Sequence, residues 1–306
     1  MNLAPPAPPS LPASISDWVT ALEGQGYFAD RRTATALHLA VALGRPLLLE
    51  GEPGVGKTEL AKAVSRVLGR SLVRLQCYDG LEQRDALYEW NHAAQLLHLR
   101  LAQDREAPQD IERQIYSPQY LVARPLLKAL QAPAPGVVLL IDEVDRADEP
   151  FEAFLLEYLG EYQVSIPELG TVSAQAMPIT FLTSNRTRDL HDAVKRRCLF
   201  HYMDYPDRDR ELAIVRRQVP QASEQLSQQV AGFVHRLRSR PYADAFVRVP
   251  GIAESVEWAK ALVALDTLHL DPEVVESTSG VLFKQKEDIA ALEPLMQELL
   301  APEKAA

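Results

Sequence analysis

The sequence of 306 residues predicts an α/β fold built around a parallel β-sheet, followed by a smaller region made only of helices. Short apolar segments alternate with helical patterns as far as Leu182, and this alternation is typical of a parallel sheet with crossover helices. The run Val137–Ile141 is apolar at every position, as expected of a strand buried on both faces. Strand patterns stop at Pro206. The sequence therefore predicts an α/β domain over residues 15–205 and a helical domain over residues 206–306.

Composition and charge limit the classes of protein to consider. Hydrophobic residues make up 47% of the chain and charged residues 24%, which is ordinary for a globular protein with a core. The formal net charge is -10, so bulk charge does not favour binding to nucleic acid. Cys77 and Cys198 lie far apart and outside any metal-binding pattern, which predicts reduced thiols and a cytoplasmic protein.

The remaining elements follow from spacing. Residues 1–14 are rich in proline and lack the features of a signal peptide, so we expect a flexible tail, and no apolar run approaches the ~20 residues of a membrane helix. Apolar spacing predicts one helix over Leu81–Gln103, on which His92 and His98 would point to different faces and form no metal pair. An alternating segment that turns at Pro167–Gly170 predicts a β-hairpin.

Residues 51–58 form a glycine-rich segment that reads GEPGVGKT and matches the pattern G-x-x-x-x-G-K-[ST]. An apolar strand precedes it and a helix follows, which is the context in which such a segment binds phosphate. Glycines let backbone N–H groups turn toward phosphate oxygens, and the helix start adds the positive end of its dipole. We expect Lys57 to reach the β- and γ-phosphates and the Thr58 hydroxyl to bind Mg²⁺. The predicted nucleotide-binding residues are Gly51, Glu52, Pro53, Gly54, Val55, Gly56, Lys57, Thr58 and Glu59.

A pair of carboxylates, Asp142 and Glu143, directly follows the apolar run Val137–Ile141. On its own, such a pair could be the acidic start of a helix. After a phosphate-binding segment, Asp142 is expected to join the Mg²⁺ shell through water, and Glu143 to polarise an attacking water molecule. The predicted cofactors are therefore ATP and Mg²⁺, and the second carboxylate favours hydrolysis over binding alone.

Four segments in order, GEPGVGKT, LLIDEVDRAD, FLTSNRTRDL and AVKRRC, resemble the AAA+ ATPases. Two more, YEWNHAAQLLHLR at Tyr88–Arg100 and EYQVSIPELGTV at Glu161–Val172, resemble the MoxR branch of that family. The likeness is strongest to MoxR-type proteins associated with the maturation of molybdenum-containing carbon monoxide dehydrogenase. It implies a P-loop NTPase core with a helical lid domain.

The resemblance also implies roles for residues outside the two motifs. Asn185 matches the sensor 1 residue, which holds the attacking water together with Glu143. Arg197, and secondarily Arg196, match the arginine finger that reaches the γ-phosphate of a neighbouring subunit's ATP. The family therefore implies a homo-oligomeric ring, with a hexamer expected, a partner with a von Willebrand factor A domain and a client enzyme.

One position departs from the family pattern. Many MoxR relatives carry a sensor 2 arginine in the helical domain, whereas the corresponding stretch Pro250–Ser255 places Glu254 there. Lys260 lies two helical turns further on, so no sensor 2 residue is assigned. Gln76, at the end of the second predicted strand, is expected to restrain Glu143 until a partner binds.

Together these features predict a chaperone-like ATPase that remodels a client during cofactor insertion or activation. The predicted hairpin and the segment Tyr78–Gln131 are its candidate contact surfaces. Three alternatives stay open: a nucleotide-gated scaffold with little turnover, a DNA-directed motor and a small-molecule kinase. The net charge of -10 counts against the second, and the finger arginines with the helical domain count against the third.

Overall fold

A computed structural model describes residues 11–102, 114–167 and 169–301. Most of the predicted N-terminal tail, part of the segment Tyr78–Gln131 and the last five residues of the predicted helical domain lie outside this range. In chain order, the helices with described bounds are α1 (Ile15–Gly24), α2 (Arg31–Leu43), α3 (Lys57–Leu68), α4 (Gln83–Ala86), α5 (His92–Ala102), α6 (Pro125–Leu130), α7 (Glu149–Glu161), α8 (Asp192–Arg197), α9 (Arg208–Gln218), α10 (Glu224–Arg238), α11 (Ile252–Ala264), α12 (Pro272–Leu282), α13 (Lys286–Leu292) and α14 (Met296–Leu300). The strands are β1 (Leu47–Gly51), β2 (Leu72–Gln76), β3 (Tyr88–Trp90), β4 (Leu121–Ala123), β5 (Val138–Asp142), β6 (Gln163–Ile166), β7 (Gly170–Ser173), β8 (Ile179–Ser184) and β9 (Leu199–Met203).

The central sheet has five strands in the order β2-β5-β8-β1-β9. The pairs β2/β5, β5/β8 and β1/β8 are parallel, with Leu140 opposite Phe181 and Leu48 opposite Leu182. All five residues of β5 are buried, as the apolar run predicts. The carboxyl ends of parallel strands lie at one edge of a sheet, and in α/β proteins that edge is where ligands bind. The α/β fold with a parallel sheet is confirmed.

Two features of the fold correct the sequence-based assignment. The single helix predicted over Leu81–Gln103 is wrong, because β3 interrupts it and pairs in antiparallel fashion with β4. Aromatic side chains favour strands, and Trp90 packs edge-on against Tyr116 with ring centroids 5.5 Å apart, so tertiary packing overrides the helical spacing. The edge strand β9, which begins two residues after the end of the basic helix Asp192–Arg197, was not predicted. The β6/β7 hairpin lies where the sequence predicts it.

The described residues form two compact units, each with its own apolar core. The first holds residues 31–50 and 60–202 together with the start of α1, and the second holds residues 19–30, 51–59 and 203–301. In the second unit Trp258 packs against Phe233 and donates an indole hydrogen bond to Thr278 Oγ1 at 2.8 Å. Among the described helices none has the length and apolar character needed to cross a lipid bilayer.

Candidate functional site

The phosphate loop, residues 51–58, runs from the end of β1 into the first turn of α3. Gly54 and Gly56 have φ angles of 82° and 99°, values that side-chain-bearing residues rarely adopt. Lys57 is only 6% exposed, and its ammonium group donates hydrogen bonds to the carbonyl oxygens of Gly51 and Glu52 at 2.7 and 2.8 Å. The loop therefore curls around the lysine that its motif requires.

The chemistry of this loop fits a nucleoside triphosphate. Backbone N–H groups at a helix start and a buried ammonium group are both ligands for phosphate oxygens. Tyr27 backs the loop, because a Cβ added to Gly56 would lie 3.7 Å from its ring. Burial raises the pKa of the Tyr27 hydroxyl far above its usual range, so that side chain is neutral at physiological pH. Thr58, predicted to bind Mg²⁺, carries a hydroxyl oxygen, and Asp142 carries a carboxylate; both are ligand types that Mg²⁺ prefers.

At the end of β5, Asp142 is held on both of its oxygens and is only 2% exposed. Arg74, on the neighbouring strand β2, donates to Asp142 Oδ2 from Nε at 2.9 Å and from Nη2 at 2.5 Å. The Thr183 hydroxyl, on β8, donates to Asp142 Oδ1 at 2.6 Å. The carboxylate is thus fixed by strands on either side of its own.

Glu143, the next residue, is held differently. Its φ of 56° is left-handed, a conformation that a residue with a side chain adopts at a cost of about 1–3 kcal/mol. The backbone N–H of Glu143 donates to Thr183 Oγ1 at 2.8 Å, which helps to maintain this conformation. Its side chain remains 30% exposed and contacts Arg146 Nε and Gln76 Nε2, each at 3.1 Å. The contact that a restraining Gln76 requires is therefore present.

Asn185 follows β8, and a buried carboxylate holds its backbone in place. Asp145 Oδ2 accepts hydrogen bonds from the N–H groups of Asn185 and Thr187 at 3.2 and 2.9 Å and from the Thr187 hydroxyl at 2.7 Å. Nothing in the described part of the chain hydrogen-bonds to the Asn185 side-chain amide. That amide is consequently available to a ligand or a water molecule.

Helix α8 carries Arg196 and Arg197, the predicted finger arginines, and both are exposed. Its first turn is anchored by Glu152, which is buried, accepts the His191 N–H at 2.8 Å and forms an ion pair with Arg188. Arg45 closes the other end by donating to the Arg196 carbonyl oxygen at 2.6 Å.

The guanidinium of Arg197 lies along helix α7. A Cβ added to Gly160 would come within 3.4 Å of Arg197 Nε, and Arg197 Nη1 lies 3.4 Å from the Ala193 carbonyl oxygen. Helix α8 is thus fixed at both ends, and both of its arginines remain exposed.

Sequence reasoning missed the residues that support these side chains. Arg74, Thr183 and Asp145 come from three different segments of the chain, so no local spacing could reveal them. Glu254, which occupies the position where the resemblance leads us to expect a sensor 2 arginine, accepts the N–H of Gly251 on its Oε2 at 2.9 Å. Burial raises the pKa of both Cys77 and Cys198 to about 12, so neither thiol is a reactive thiolate at neutral pH.

A parallel sheet of this strand order, with a phosphate loop after β1 and two carboxylates at the end of β5, defines a P-loop nucleoside-triphosphatase fold of the AAA+ type. Residues 46–212 match the family of AAA domains, dynein-related subfamily, and the chain belongs to that family.

Individual relatives are more distant. An uncharacterized protein of Staphylococcus epidermidis is 24% identical over 254 residues, covering 80% of this chain and 86% of the relative. The gas vesicle ATPase GvpN1 of Halobacterium salinarum is 27% identical over 208 residues, covering 65% of this chain and 58% of that protein. A RuvB mutant of Thermotoga maritima is a similar solved structure, with a TM-score of 0.48, 16% identity and coverage of 88% of this chain and 73% of the other.

Proposed function

We propose that this chain is a Mg²⁺-dependent ATPase that works in a homo-oligomeric ring, with a hexamer expected. In this proposal residues 51–59 bind the nucleotide, Thr58 and Asp142 hold Mg²⁺, and residues 206–306 act as a lid. Glu143 is the general base, Asn185 positions the attacking water, and Arg197 with Arg196 contacts the ATP of a neighbouring subunit.

The observation that carries the proposal is that two adjacent carboxylates, Asp142 and Glu143, differ in burial and in how firmly they are held. Asp142 is buried and fixed on both oxygens, as a residue that orients a metal ion through water needs to be. Glu143 is partly exposed on a strained backbone, so its carboxylate can reach a water molecule and change partners. A protein that only binds nucleotide has no use for the second arrangement, which favours hydrolysis.

The finer role rests on the resemblance to the MoxR branch and on the relatives. One relative is named as an ATPase of gas vesicles, and the segments quoted above resemble proteins that assist the maturation of a molybdenum enzyme. We infer a chaperone-like remodeller whose client is an enzyme that requires activation or cofactor insertion. A partner with a von Willebrand factor A domain would bring the ring and client together.

A second candidate is a nucleotide-gated scaffold with little turnover. It is favoured by Glu254, which stands where the resemblance leads us to expect the sensor 2 arginine and accepts the Gly251 N–H. Under this alternative, ATP binding would change the shape of the ring without sustained hydrolysis.

A complementation experiment tests ATPase activity and the shared site together. ATP turnover per subunit is measured over a range of protein concentrations, with mass photometry to count subunits. Arg197→Ala and Lys57→Ala are then mixed in equal amounts, after each has been measured alone.

If Arg197 acts across a subunit boundary, Lys57→Ala subunits supply the missing finger to Arg197→Ala subunits. Turnover should return to about a quarter of the wild-type rate, since a competent site needs the two variants side by side in one order. Arg216→Ala, which removes an exposed arginine paired with Glu224, is the control and should behave as wild type. Mixed rings that assemble but stay inactive would exclude a shared site. Tight ATP binding with a low, flat rate at every concentration would favour the scaffold.

A further inference from the structure

The start of helix α11 lies directly against the phosphate loop, within the second compact unit. Here the lid turn is defined as residues 251–254. A Cβ added to Gly251 would lie 2.9 Å from Gly54 Cα and 3.0 Å from the Pro53 carbonyl oxygen, so only glycine fits. The N–H of Ile252 donates to the Gly54 carbonyl oxygen at 3.0 Å. Two stretches of backbone therefore touch with no side chain between them.

This hydrogen bond fixes one peptide group of the phosphate loop. The carbonyl of Gly54 and the N–H of Val55 belong to the same planar peptide and point in opposite directions. Because the carbonyl is anchored on Ile252, the Val55 N–H is turned away from the lid turn. In a loop of this pattern, backbone N–H groups of this stretch are the ones that cradle phosphate. The lid turn thus sets the direction of a phosphate ligand.

Glu254 maintains the shape of the lid turn. Its Oε2 accepts the N–H of Gly251 at 2.9 Å, which satisfies a backbone donor that the first turn of a helix leaves unpaired. The same oxygen would lie 3.1 Å from a Cβ placed on Gly54. The carboxylate at the position where relatives carry an arginine therefore has a structural task in this chain.

A buried network holds the lid turn from the side of the helical core. Arg238 donates to the Pro250 carbonyl oxygen at 2.7 Å and pairs with both oxygens of the buried Glu211 at 2.7 and 3.1 Å. The Ser255 hydroxyl lies 2.6 Å from Glu211 Oε1 and 3.1 Å from the Gly251 carbonyl oxygen. These contacts hold the lid turn in place where it packs against the phosphate loop.

We propose that Gly251, Ile252 and Glu254 are positioning residues for the nucleotide. They orient the Gly54–Val55 peptide of the phosphate loop through backbone contact, and in this way the helical region controls phosphate affinity without a charged side chain on the phosphate. The inference rests on the proposed function, since it deepens the role of the same loop.

The first test compares Gly251→Ala with Gly280→Ala in the full-length chain. Gly280 lies in α12 with nothing within 4 Å of an added Cβ, so it controls for the substitution itself. Gly251→Ala should weaken binding of Mg²⁺-ATP and of ADP by about tenfold or more, while Gly280→Ala should not. Hydrogen exchange of the peptide covering residues 51–58 should be faster in nucleotide-free Gly251→Ala, a readout that does not require binding.

The second test asks whether Glu254 acts by holding the Gly251 N–H or by its negative charge. Glu254→Gln keeps an oxygen that can accept the Gly251 N–H, whereas Glu254→Ala removes it. Positioning predicts near wild-type ATP affinity for Glu254→Gln and weaker affinity for Glu254→Ala. If Glu254 instead acts by repelling phosphate, both variants bind ATP more tightly than wild type, and the proposal is overturned.

ATP binding by the wild-type chain distinguishes failure of the proposed function from failure of the positioning role. A wild-type chain that binds no ATP overturns the proposed function itself. ATP binding that depends on Lys57, with Gly251→Ala and Glu254→Ala equal to wild type in affinity and in exchange, overturns only the positioning role.

Discussion

The phosphate loop is formed mainly by backbone groups, whereas the carboxylate cluster at the end of β5 is formed mainly by side chains. In the loop, backbone groups form the proposed binding surface, and three glycines with positive φ make that shape possible. In the cluster, defined as Arg74, Asp142, Glu143 and Thr183, the side chains of Arg74, Asp142 and Thr183 come from three neighbouring strands and hold one another. Glu143 joins them through its backbone N–H, which donates to Thr183 Oγ1. The loop is therefore specified by a short run of sequence, whereas the contacts that hold the cluster together are specified only by the folded sheet.

This difference predicts a separation of effects. A change in the loop should act mainly on nucleotide affinity, because the loop offers its contacts to the ground state of the substrate. A change in the cluster should act mainly on turnover, because in the proposed function Glu143 acts only when water attacks. A variant in either region that changes nucleotide affinity and turnover to the same extent would contradict this separation.

Lys57→Ala is expected to have the largest effect on binding. It removes the buried ammonium of the loop, and charge-assisted hydrogen bonds of this kind predict a loss of affinity of about 10²-fold. Isothermal titration with Mg²⁺-ATP measures it, and Lys260→Ala, on the exposed side of α11, is the matched control. Unchanged affinity in Lys57→Ala would refute the assignment of the loop.

Glu143→Gln tests the cluster in the opposite direction. The amide cannot accept a proton from water, so turnover should fall by about 10²–10⁴-fold while ATP affinity stays within about threefold of wild type. Single-turnover measurements with radiolabelled ATP separate the two quantities. Glu149→Gln, an exposed carboxylate at the start of α7, should retain full turnover. Retained turnover in Glu143→Gln would remove it as general base.

The same contrast explains which parts of the site could be predicted from the sequence. Lys57 and Gly54 fall in one contiguous pattern, because a loop that wraps phosphate needs fixed residue types at fixed spacing. Asp142 and Glu143 could be predicted as site residues for a similar reason, since they directly follow a run that is apolar at every position. Each prediction depended on neighbours in sequence.

The supporting residues could not be predicted in this way. No local pattern around Thr183 or Arg74 marks either residue as a partner of Asp142. Their roles depend on the strand order β2-β5-β8, which places them on either side of Asp142. The helical assignment over Leu81–Gln103 failed for a related reason, since the pairing of β3 with β4 is a tertiary contact.

Thr183→Val probes the support of the cluster and should have the smallest effect of the three. The substitution keeps the branched shape but removes the hydroxyl that binds Asp142 Oδ1 and accepts the Glu143 N–H. Leaving those buried groups without their partner should lower the free energy of unfolding by about 1–3 kcal/mol. Turnover should fall by about tenfold as the left-handed conformation of Glu143 loosens, with ATP affinity retained. Thr171→Val, at an exposed position of β7, is the control for the loss of a strand hydroxyl. If Thr183→Val weakens ATP affinity as much as turnover, the cluster contributes to the ground state, and the separation between binding by the loop and turnover by the cluster does not hold.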